Sequence, residues 1–388
     1  MSANKPPFDG EWVKLGELIS KAPIERCGDA KYPVYSMTMR DGIVEQAGRF
    51  KKAIASKDTS SYKVVKKNQL VVGFPIDEGV IYVQNHDAPG IMSPAYNVWN
   101  IDLGRVDPSY LEFALHSPRS MAYYADKMRG TTARRRTLTA DGLREMEILL
   151  PSADGQIRVV NTLDEVRSLI EGANGQIAML DTLVKSRFVE MFGSYSNEFE
   201  TTLQDISEFV TVGIANAATH AYVDSGVVML RNLNVRENQL EDSDLVYIDP
   251  EFAAKYKKKR LKAGDILVTR TGYPGIACVV PKKYEGCQTF TTLIVRLRDD
   301  SPVTAEYVSQ LINSPIGKEF VGRFKAGSSQ QNFGATALKM MPIGIPPLAL
   351  QQEFAAFVAE VDKSRFIVKQ KIEKLQMLYD SLAQEYFG

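Results

Sequence analysis

The sequence contains few of the residues that form covalent or metal-bound frameworks. Its 388 residues include three cysteines and three histidines. They are Cys27, Cys278, Cys287, His86, His116 and His220. Three cysteines are too few for a disulfide framework or a tetrahedral zinc site, and the histidines are isolated, with no second ligand at helical spacing. We therefore expect no metal site, and a reducing compartment, the cytoplasm, fits the composition best.

Long apolar runs and an excess of one charge are absent as well. No run approaches the roughly 20 apolar residues that cross a bilayer, and residues 1–10 lack the basic start and apolar core of a signal peptide. Lysine plus arginine and aspartate plus glutamate both number 47, so the formal net charge is zero. A neutral chain has no global attraction for a polyanion, so any nucleic-acid site must be a local cluster of basic residues.

Signatures of catalysis are also missing. There is no glycine-rich phosphate loop ending in Lys-Ser or Lys-Thr, and no Gly-x-Gly-x-x-Gly sequence opens a helix. The Asn-Pro-Pro-Tyr or Asp-Pro-Pro-Tyr clamp with which amino-methyltransferases hold a flipped base is absent, since Ser93-Pro94-Ala95-Tyr96 is more typical of a turn before a strand. The chain is therefore predicted to be non-catalytic.

The sequence does contain an internal repeat. Residues 151–193 return as residues 346–388, displaced by 195 positions without a gap. Both copies place apolar residues at alternating steps of three and four, which predicts a narrow stripe on a helix and a second helix to cover it. Two features depart from this pattern: Arg365 interrupts the second stripe, and Gly172 and Gly175 permit a local kink in the first helix.

The segments that precede these helices repeat as well. Residues 70–73 correspond to 266–269, and residues 79–83 to 275–279. Two unrelated amphipathic helices would explain the stripes alone, but they would not explain collinear matches along the rest of the chain. We therefore predict a tandem duplication.

Each globular segment has the pattern of a compact sheet with short helices. Runs of β-branched and aromatic residues bounded by Gly, Pro, Asn and Asp predict strands. These runs cover residues 70–74, 80–84, 96–101, 266–269, 276–280 and 290–297. Residues 108–115 and 305–312 predict helices that end at Ser-Pro pairs. The predicted fold class is α+β, in two domains, because 388 residues exceed one ordinary core.

Basic and hydrogen-bonding residues gather in loops, and the loops at Gly130 and Gly327 occupy equivalent places in the two halves. Cationic side chains neutralise phosphates, while Arg can bind guanine, and Asn or Gln adenine, through two hydrogen bonds. A solvated face is the simpler interpretation of any single lysine run, but the equivalent loops favour a DNA-binding surface. The candidate DNA-binding residues are Arg129, Thr131, Arg134, Arg135, Arg136, Lys257, Lys258, Lys259, Arg270, Tyr273, Lys325, Ser328, Ser329, Gln330, Gln331 and Asn332.

Two α+β segments, each followed by a matching long helix and without a catalytic motif, resemble the specificity subunit of type I restriction–modification systems. The resemblance covers essentially the whole chain. Its most specific parts are Ile-Gly-Ile-Pro-Pro-Leu-Ala-Leu-Gln-Gln at 343–352, Lys-Ala-Gly-Asp-Ile-Leu-Val at 262–268, and Ala-Gly-Ser-Ser-Gln-Gln-Asn at 326–332. The first half departs from this pattern, with one proline at 151 and no Gly-Asp pair before Leu70.

The resemblance implies a domain plan. Residues 1–151 and 194–346 would be two target recognition domains, each recognising one half of a bipartite DNA site. Residues 152–193 and 347–388 would be two spacer helices that pack antiparallel as a coiled coil, separate the domains and bind two methyltransferase subunits.

The resemblance also implies partners and a reaction. Restriction/translocase subunits would join the larger complex, and S-adenosylmethionine, ATP and magnesium would belong to the partner subunits. The reaction directed would be N6-methylation of adenine or cleavage of unmodified DNA. Two other classes stay open from the residues: a stand-alone nuclease or methyltransferase with an unrecognised site, and a protein-binding scaffold without a DNA role.

Overall fold

The computed structural model describes residues 10–39, 41–49, 58–130, 132, 136–195, 201–215, 220–324 and 333–388. By its internal contacts the chain forms two units. Unit 1 comprises Met1–Asn174 and Gln370–Gly388, and unit 2 comprises Gly175–Lys369. Each unit therefore contains one globular segment and parts of both long helices, whereas the plan taken from the sequence sets the helices apart from the domains.

In unit 1, short strands and helices precede the first long helix. The strands are β1 (Gly10–Lys14), β2 (Ile19–Lys21), β3 (Tyr35–Thr38), β4 (Gly42–Glu45), β5 (Lys63–Val65), β6 (Gln69–Val72), β7 (Ile81–Val83), β8 (Gly90–Met92), β9 (Asn97–Ile101) and β10 (Glu147–Pro151). The short helices are α1 (Gln46–Arg49), α2 (Pro108–Leu115), α3 (Pro118–Lys127) and α4 (Ala140–Arg144). The strands predicted at 70–74, 80–84 and 96–101 and the helix predicted at 108–115 are confirmed.

The main sheet of unit 1 is antiparallel, with the strand order β2-β9-β6-β7. Successive side chains of a strand point to opposite faces of a sheet. Leu70 and Val72 join one core cluster with Tyr110 of α2, while Val71 joins a second cluster with Tyr35. Both faces of the sheet are therefore buried, which explains why its strands are continuous apolar runs in the sequence.

Unit 2 follows the first long helix, α5 (Ala153–Phe192). Its strands are β11 (Thr201–Thr202), β12 (Ser207–Val212), β13 (Tyr222–Val223), β14 (Val227–Leu230), β15 (Val235–Arg236), β16 (Gln239–Leu240), β17 (Val246–Ile248), β18 (Ile266–Val268), β19 (Ala277–Val279), β20 (Gln288–Thr289), β21 (Leu293–Leu297) and β22 (Pro342–Ile343). Its short helices are α6 (Leu203–Ile206), α7 (Pro250–Lys255), α8 (Ala305–Asn313), α9 (Pro315–Arg323) and α10 (Ala335–Lys339), and the second long helix is α11 (Leu348–Phe387).

The main sheet of unit 2 repeats that of unit 1. Its strand order is β12-β21-β18-β19, again antiparallel. Ile266 and Val268 of β18 face one core cluster, and Leu267 between them faces another. A second sheet, in the order β13-β17-β14-β20, includes a parallel pair of β14 and β20. The predicted duplication and α+β fold class are confirmed.

The long helices α5 and α11 both contain 40 residues. Helix α5 continues through Gly172 and Gly175, so these residues do not break it. In unit 1, the start of α5 shares a core cluster with Phe387 at the end of α11. In unit 2, Phe192 at the end of α5 packs against Phe354 near the start of α11, with ring centroids 5.4 Å apart. Within each unit the two helices are therefore antiparallel, as predicted.

A buried glutamine holds the start of each long helix. Gln156 accepts a hydrogen bond from the backbone N–H of Asp107 at 2.7 Å and donates to the carbonyls of Arg105 and Pro151. Gln351 makes the same three bonds, with Thr304, Pro302 and Pro346. Both side chains are almost fully buried, and a buried amide needs such partners. The sequence match between these glutamines therefore has a structural cause.

Arg365 interrupts the apolar stripe of α11, and two carboxylates compensate its charge. The side chain is buried, and its guanidinium lies 2.8 Å from a carboxylate oxygen of Asp181 in α5. It also pairs with Asp362, one turn earlier in α11. A polar residue in such a stripe fixes which residues of the two helices face each other.

Three further features of the chain concern membrane-spanning helices, metal sites and cysteines. Among the described residues, no helix has the length and apolar character that crossing a membrane requires. In the same parts of the chain, no three His, Cys, Asp or Glu side chains converge in an arrangement that could hold a metal ion. The three cysteines are free thiols, and burial raises the pKa of Cys287.

Candidate nucleic-acid interface

Polar loops from several strands lie together at one edge of the main sheet in unit 2, the edge at which those strands begin or end. Strands β12 and β18 end at this edge and β21 begins there, because Val212 and Val268 both pair with Leu293 in an antiparallel register. We define the polar edge of unit 2 as residues 213–215, 231–232, 269–276 and 289–292. Backbone hydrogen bonds join these segments, such as that from Gly213 N–H to the Thr292 carbonyl at 3.0 Å.

The loop between β18 and β19 projects from this edge. The Thr269 hydroxyl donates to the Tyr273 carbonyl at 2.6 Å and accepts from the Ile276 N–H at 2.9 Å, which fixes the loop. Gly272 and Gly275 have φ values of 74° and 88°, a region that favours glycine. The side chain of Tyr273 is 84% exposed. The loop thus holds an aromatic ring in solvent on a defined backbone.

Arg270, at the start of this loop, has an available guanidinium. Its Nε is buried and has no hydrogen-bond partner, and the side chain makes no hydrogen bond or ion pair with any described residue. Its backbone carbonyl accepts from the N–H of Phe333 at 3.1 Å. A buried, unsatisfied donor costs about 1–3 kcal/mol, so this site is suited to a ligand that brings hydrogen-bond acceptors.

Two residues next to this loop were missed by the sequence reasoning. The Asn232 amide nitrogen donates to the hydroxyls of Thr271 at 2.6 Å and Thr291 at 3.3 Å, while its amide oxygen is buried without a partner. Arg231 donates to the Asp244 carbonyl, and its Nε is also buried and unpaired. The only sequence signal was an Arg-Asn pair directly after the apolar strand β14.

The predicted lysine run lies beside the same edge. Lys257–Lys259 form a short 3-10 helix, in which Lys257 and Lys258 are exposed. Lys259 instead donates to the Gly213 carbonyl at 2.8 Å, and burial lowers its pKa. The structure therefore brings the lysine run and the Arg270–Tyr273 loop together. Within the run, Lys257 and Lys258 have no side-chain partner among the described residues, whereas Lys259 does.

In unit 1 the equivalent loop is the one between β6 and β7, and ion pairs connect it to Arg136. Arg136 binds Asp77 and Glu78, which lie in the loop between β6 and β7, and its carbonyl accepts from the Ile76 N–H at 3.0 Å. The predicted DNA contact at Arg136 would require the guanidinium to leave two carboxylates. Arg129 is exposed, with its backbone paired to Thr137.

The other predicted contacts lie outside the described residues. They are Thr131, Arg134, Arg135, Lys325, Ser328, Ser329, Gln330, Gln331 and Asn332. Arg136 directly follows Arg135, and Phe333 directly follows Asn332. The backbone of Arg136 is hydrogen-bonded to the loop between β6 and β7, and that of Phe333 to the loop between β18 and β19. These nine contacts stay predictions.

Comparison with known proteins relates part of the chain to a known family. Residues 200–377, which include the whole polar edge of unit 2, match the model of the type I restriction modification DNA specificity domain. A stretch of 125 residues is 27% identical to the type I restriction enzyme EcoEI specificity subunit of Escherichia coli. This part of the chain is therefore similar to the type I restriction modification DNA specificity domain.

The relatives differ in how much of the chain they cover. The match to the EcoEI specificity subunit covers 31% of this chain and 21% of that protein. Similarity of fold to solved structures extends over more of the chain. A structure from a study of complex assembly and conformational transition of the type I R-M system has a TM-score of 0.54 at 15% identity, covering 98% of each chain. The S subunit from M. genitalium has a TM-score of 0.50 at 13% identity, covering 98% of this chain and 97% of that one.

Proposed function

We propose that this chain is the DNA-binding specificity subunit of a type I restriction–modification complex and recognises a bipartite DNA site. The match of residues 200–377 to the type I restriction modification DNA specificity domain supports this proposal, and the duplication supports the two half-sites, because each unit repeats the same sheet. The observation that carries it is the polar edge of unit 2. There Arg270, whose side chain has no partner among the described residues, lies with an exposed tyrosine and beside exposed lysines.

The groups at this edge suit different parts of DNA. Lys257 and Lys258 are exposed cations and would neutralise phosphates without regard to sequence. Arg270 presents a planar fork of donors, which suits base edges in the major groove. Tyr273 exposes an aromatic ring that can stack on a base or lie against the sugar–phosphate backbone.

In this proposal the chain recognises DNA and leaves chemistry to its partners. Two methyltransferase subunits would bind S-adenosylmethionine, restriction subunits would bind ATP and magnesium, and the complex would act in the cytoplasm, where the DNA is. Exposed apolar side chains on α11 offer a contact for a partner, since Phe366 and Ile367 are 61% and 65% exposed. Apolar groups of this size are usually covered in a complex.

The decisive experiment is selection of binding sites from a random DNA pool by the chain co-purified with its methyltransferase. We expect a split motif with two specific halves and a non-specific gap. Methyl transfer by the highly purified chain alone would instead show a stand-alone enzyme, and an assembled complex without sequence preference would show a scaffold.

Partner binding needs a separate test. Replacing Phe366 and Ile367 with Ser should weaken co-purification of the methyltransferase, while Lys363→Ser, an exposed polar change on the same helix, should not. Equal co-purification by both variants would place the partner contact elsewhere.

A further inference from the structure

The unpaired arginine at the polar edge of unit 2 points to a particular base. Arg270 lies two residues after the end of β18, so its backbone is held close to a central strand of the sheet. Its Nε is buried without a partner, and no described carboxylate pairs with its guanidinium. Buried donors are seldom left without a partner, so such a group calls for an explanation, and a bound ligand is one.

Two kinds of acceptor on DNA match a guanidinium fork, namely a phosphate and the O6 and N7 edge of guanine. The position of Arg270 favours the base. The exposed lysines Lys257 and Lys258 already supply flexible cations for phosphates, whereas Arg270 is half-buried on a rigid strand end. A fixed fork favours recognition that depends on geometry.

Asn232 also supports a guanine rather than a phosphate as the ligand of Arg270, because it positions the loop that carries this arginine. Its amide nitrogen holds Thr271, the residue after Arg270, and also Thr291 across the edge. The side chain of Asn232 itself is partly buried. It would act on DNA through the loop, as a positioning residue.

The corresponding loop of unit 1 lacks this arrangement. With residues 70–73 matched to 266–269, Phe74 stands in the place of Arg270. The same loop contains Asp77 and Glu78, which bind Arg136. An arginine contact from this loop is therefore confined to unit 2.

We infer that Arg270 reads a guanine in the half-site bound by unit 2, that Asn232 positions it through Thr271, and that the half-site bound by unit 1 has no equivalent contact. This inference rests on the proposed function, because it requires specific DNA binding.

The test is selection of binding sites from a random DNA pool by the methyltransferase complex containing wild-type chain, Arg270→Ala, Arg270→Lys or Asn232→Ala. Arg270→Ala should lower the guanine preference at one position of one half-site by about 5- to 150-fold and leave the other half-site unchanged. Arg270→Lys should restore only part of the preference that Arg270→Ala loses. The restoration is incomplete because lysine lacks the two-donor fork of arginine. Asn232→Ala should reduce the base preference at the same position. Combining Asn232→Ala with Arg270→Ala should reduce that preference little further.

Two controls separate the other outcomes. Lys258→Ala should weaken binding to all sequences alike, and Arg298→Ala, which removes an exposed arginine at the opposite edge of the sheet, should leave the motif intact. Thermal denaturation confirms that each complex is folded.

Uniform weakening by Arg270→Ala would identify a phosphate contact and overturn the inference, as would an unchanged motif. Relaxation by Asn232→Ala at positions other than that of Arg270 would overturn the positioning role. Absence of any split motif with the wild-type chain would refute the proposed function itself, so the two failures are distinguishable.

Discussion

At the scale of single residues, hydrogen bonding separates positions that stabilise the fold from positions that are available to a ligand. Gln156 and Gln351 each satisfy three backbone groups at the start of a long helix. Arg136 is neutralised by two carboxylates. Arg270 has neither kind of partner among the described residues. The same chemical types therefore have different roles according to their surroundings.

Removal of a buried glutamine should destabilise its unit. Gln351→Ala is expected to lower the free energy of unfolding by about 1–3 kcal/mol, because backbone groups of Thr304, Pro302 and Pro346 lose a partner. Gln352→Ala is the matched control, since Gln352 is exposed, and should change stability by less than about 0.5 kcal/mol. Urea denaturation followed by circular dichroism measures both, and equal effects would contradict a specific role for Gln351.

Glu112 should make stability depend on pH. Burial raises the pKa of this carboxyl above its ordinary value of 4.5, although it accepts a hydrogen bond from the Val83 N–H at 2.7 Å. Its contribution to stability is therefore full below pH 4.5 and lost as pH rises through the raised folded-state pKa. We expect Glu112→Gln to be more stable relative to wild type at pH 7.5 than at pH 4.5.

Thermal unfolding at a series of pH values measures this difference. Glu171→Gln is the matched control for removal of one carboxylate, because Glu171 is exposed on α5. A Glu112→Gln variant whose stability followed that of the wild type at every pH would show that the carboxyl titrates alike in both states.

At the scale of elements, the two long helices are stabilised by packing more than by helix propensity. Leu163, Val184 and Val361 are buried on their inner stripes, while α5 retains Gly172 and Gly175 in its interior. An ideal Cβ built on either glycine has nothing within 4 Å. Neither glycine is therefore required by close packing in the described structure.

Replacing these glycines should stabilise the helix. Gly172→Ala and Gly175→Ala are each expected to raise the free energy of unfolding by about 0.5–1 kcal/mol, because alanine loses less backbone entropy on folding. Gly317→Ala in α9 is the contrasting control, since its Cβ would lie 2.2 Å from the Ile312 carbonyl oxygen, and should destabilise. Chemical denaturation distinguishes these signs, and destabilisation by Gly172→Ala would indicate that the glycine serves another state or a partner.

At the scale of the whole molecule, the duplication gives two similar sheets with different edges. The order β2-β9-β6-β7 is repeated as β12-β21-β18-β19, and the long helices have equal length. Ion pairs join the loop after β6 to Arg136. In the loop after β18, the side chain of Arg270 has no partner among the described residues. A common scaffold with different loops suits recognition of two different half-sites.

Helix length should set the gap of the proposed bipartite site. Inserting seven residues after Leu180 and after Leu375 preserves the apolar stripes, because these repeat every seven residues. Each helix lengthens by about 10 Å, close to three base pairs at about 3.4 Å each. We expect site selection by the methyltransferase complex to recover unchanged half-sites with a longer gap. Insertion of four residues, which misaligns the stripes, is the control, and an unchanged gap with the heptad variant would contradict the proposal.

Much of the fold could be predicted from the sequence because it depends on local patterns. Apolar runs predicted the central strands β6, β9, β18 and β21, and the repeat predicted two equal helices. The polar edge could be predicted only in part. Arg270, Tyr273 and the lysine run were identified from their residue types and from the basic composition of the loops. Arg231 and Asn232 were missed because they form a single Arg-Asn pair outside any basic cluster.

The sequence by itself determined the duplication, the α+β class and the resemblance to type I specificity subunits, since these follow from periodicity and from matches along the chain. Only the tertiary structure decided which basic residues are available, because their partners are distant in sequence. Arg136 meets carboxylates 59 and 58 positions away, and Asn232 meets threonines 39 and 59 positions away. The availability of a charged side chain depends on which groups folding brings next to it, and local sequence does not contain that information.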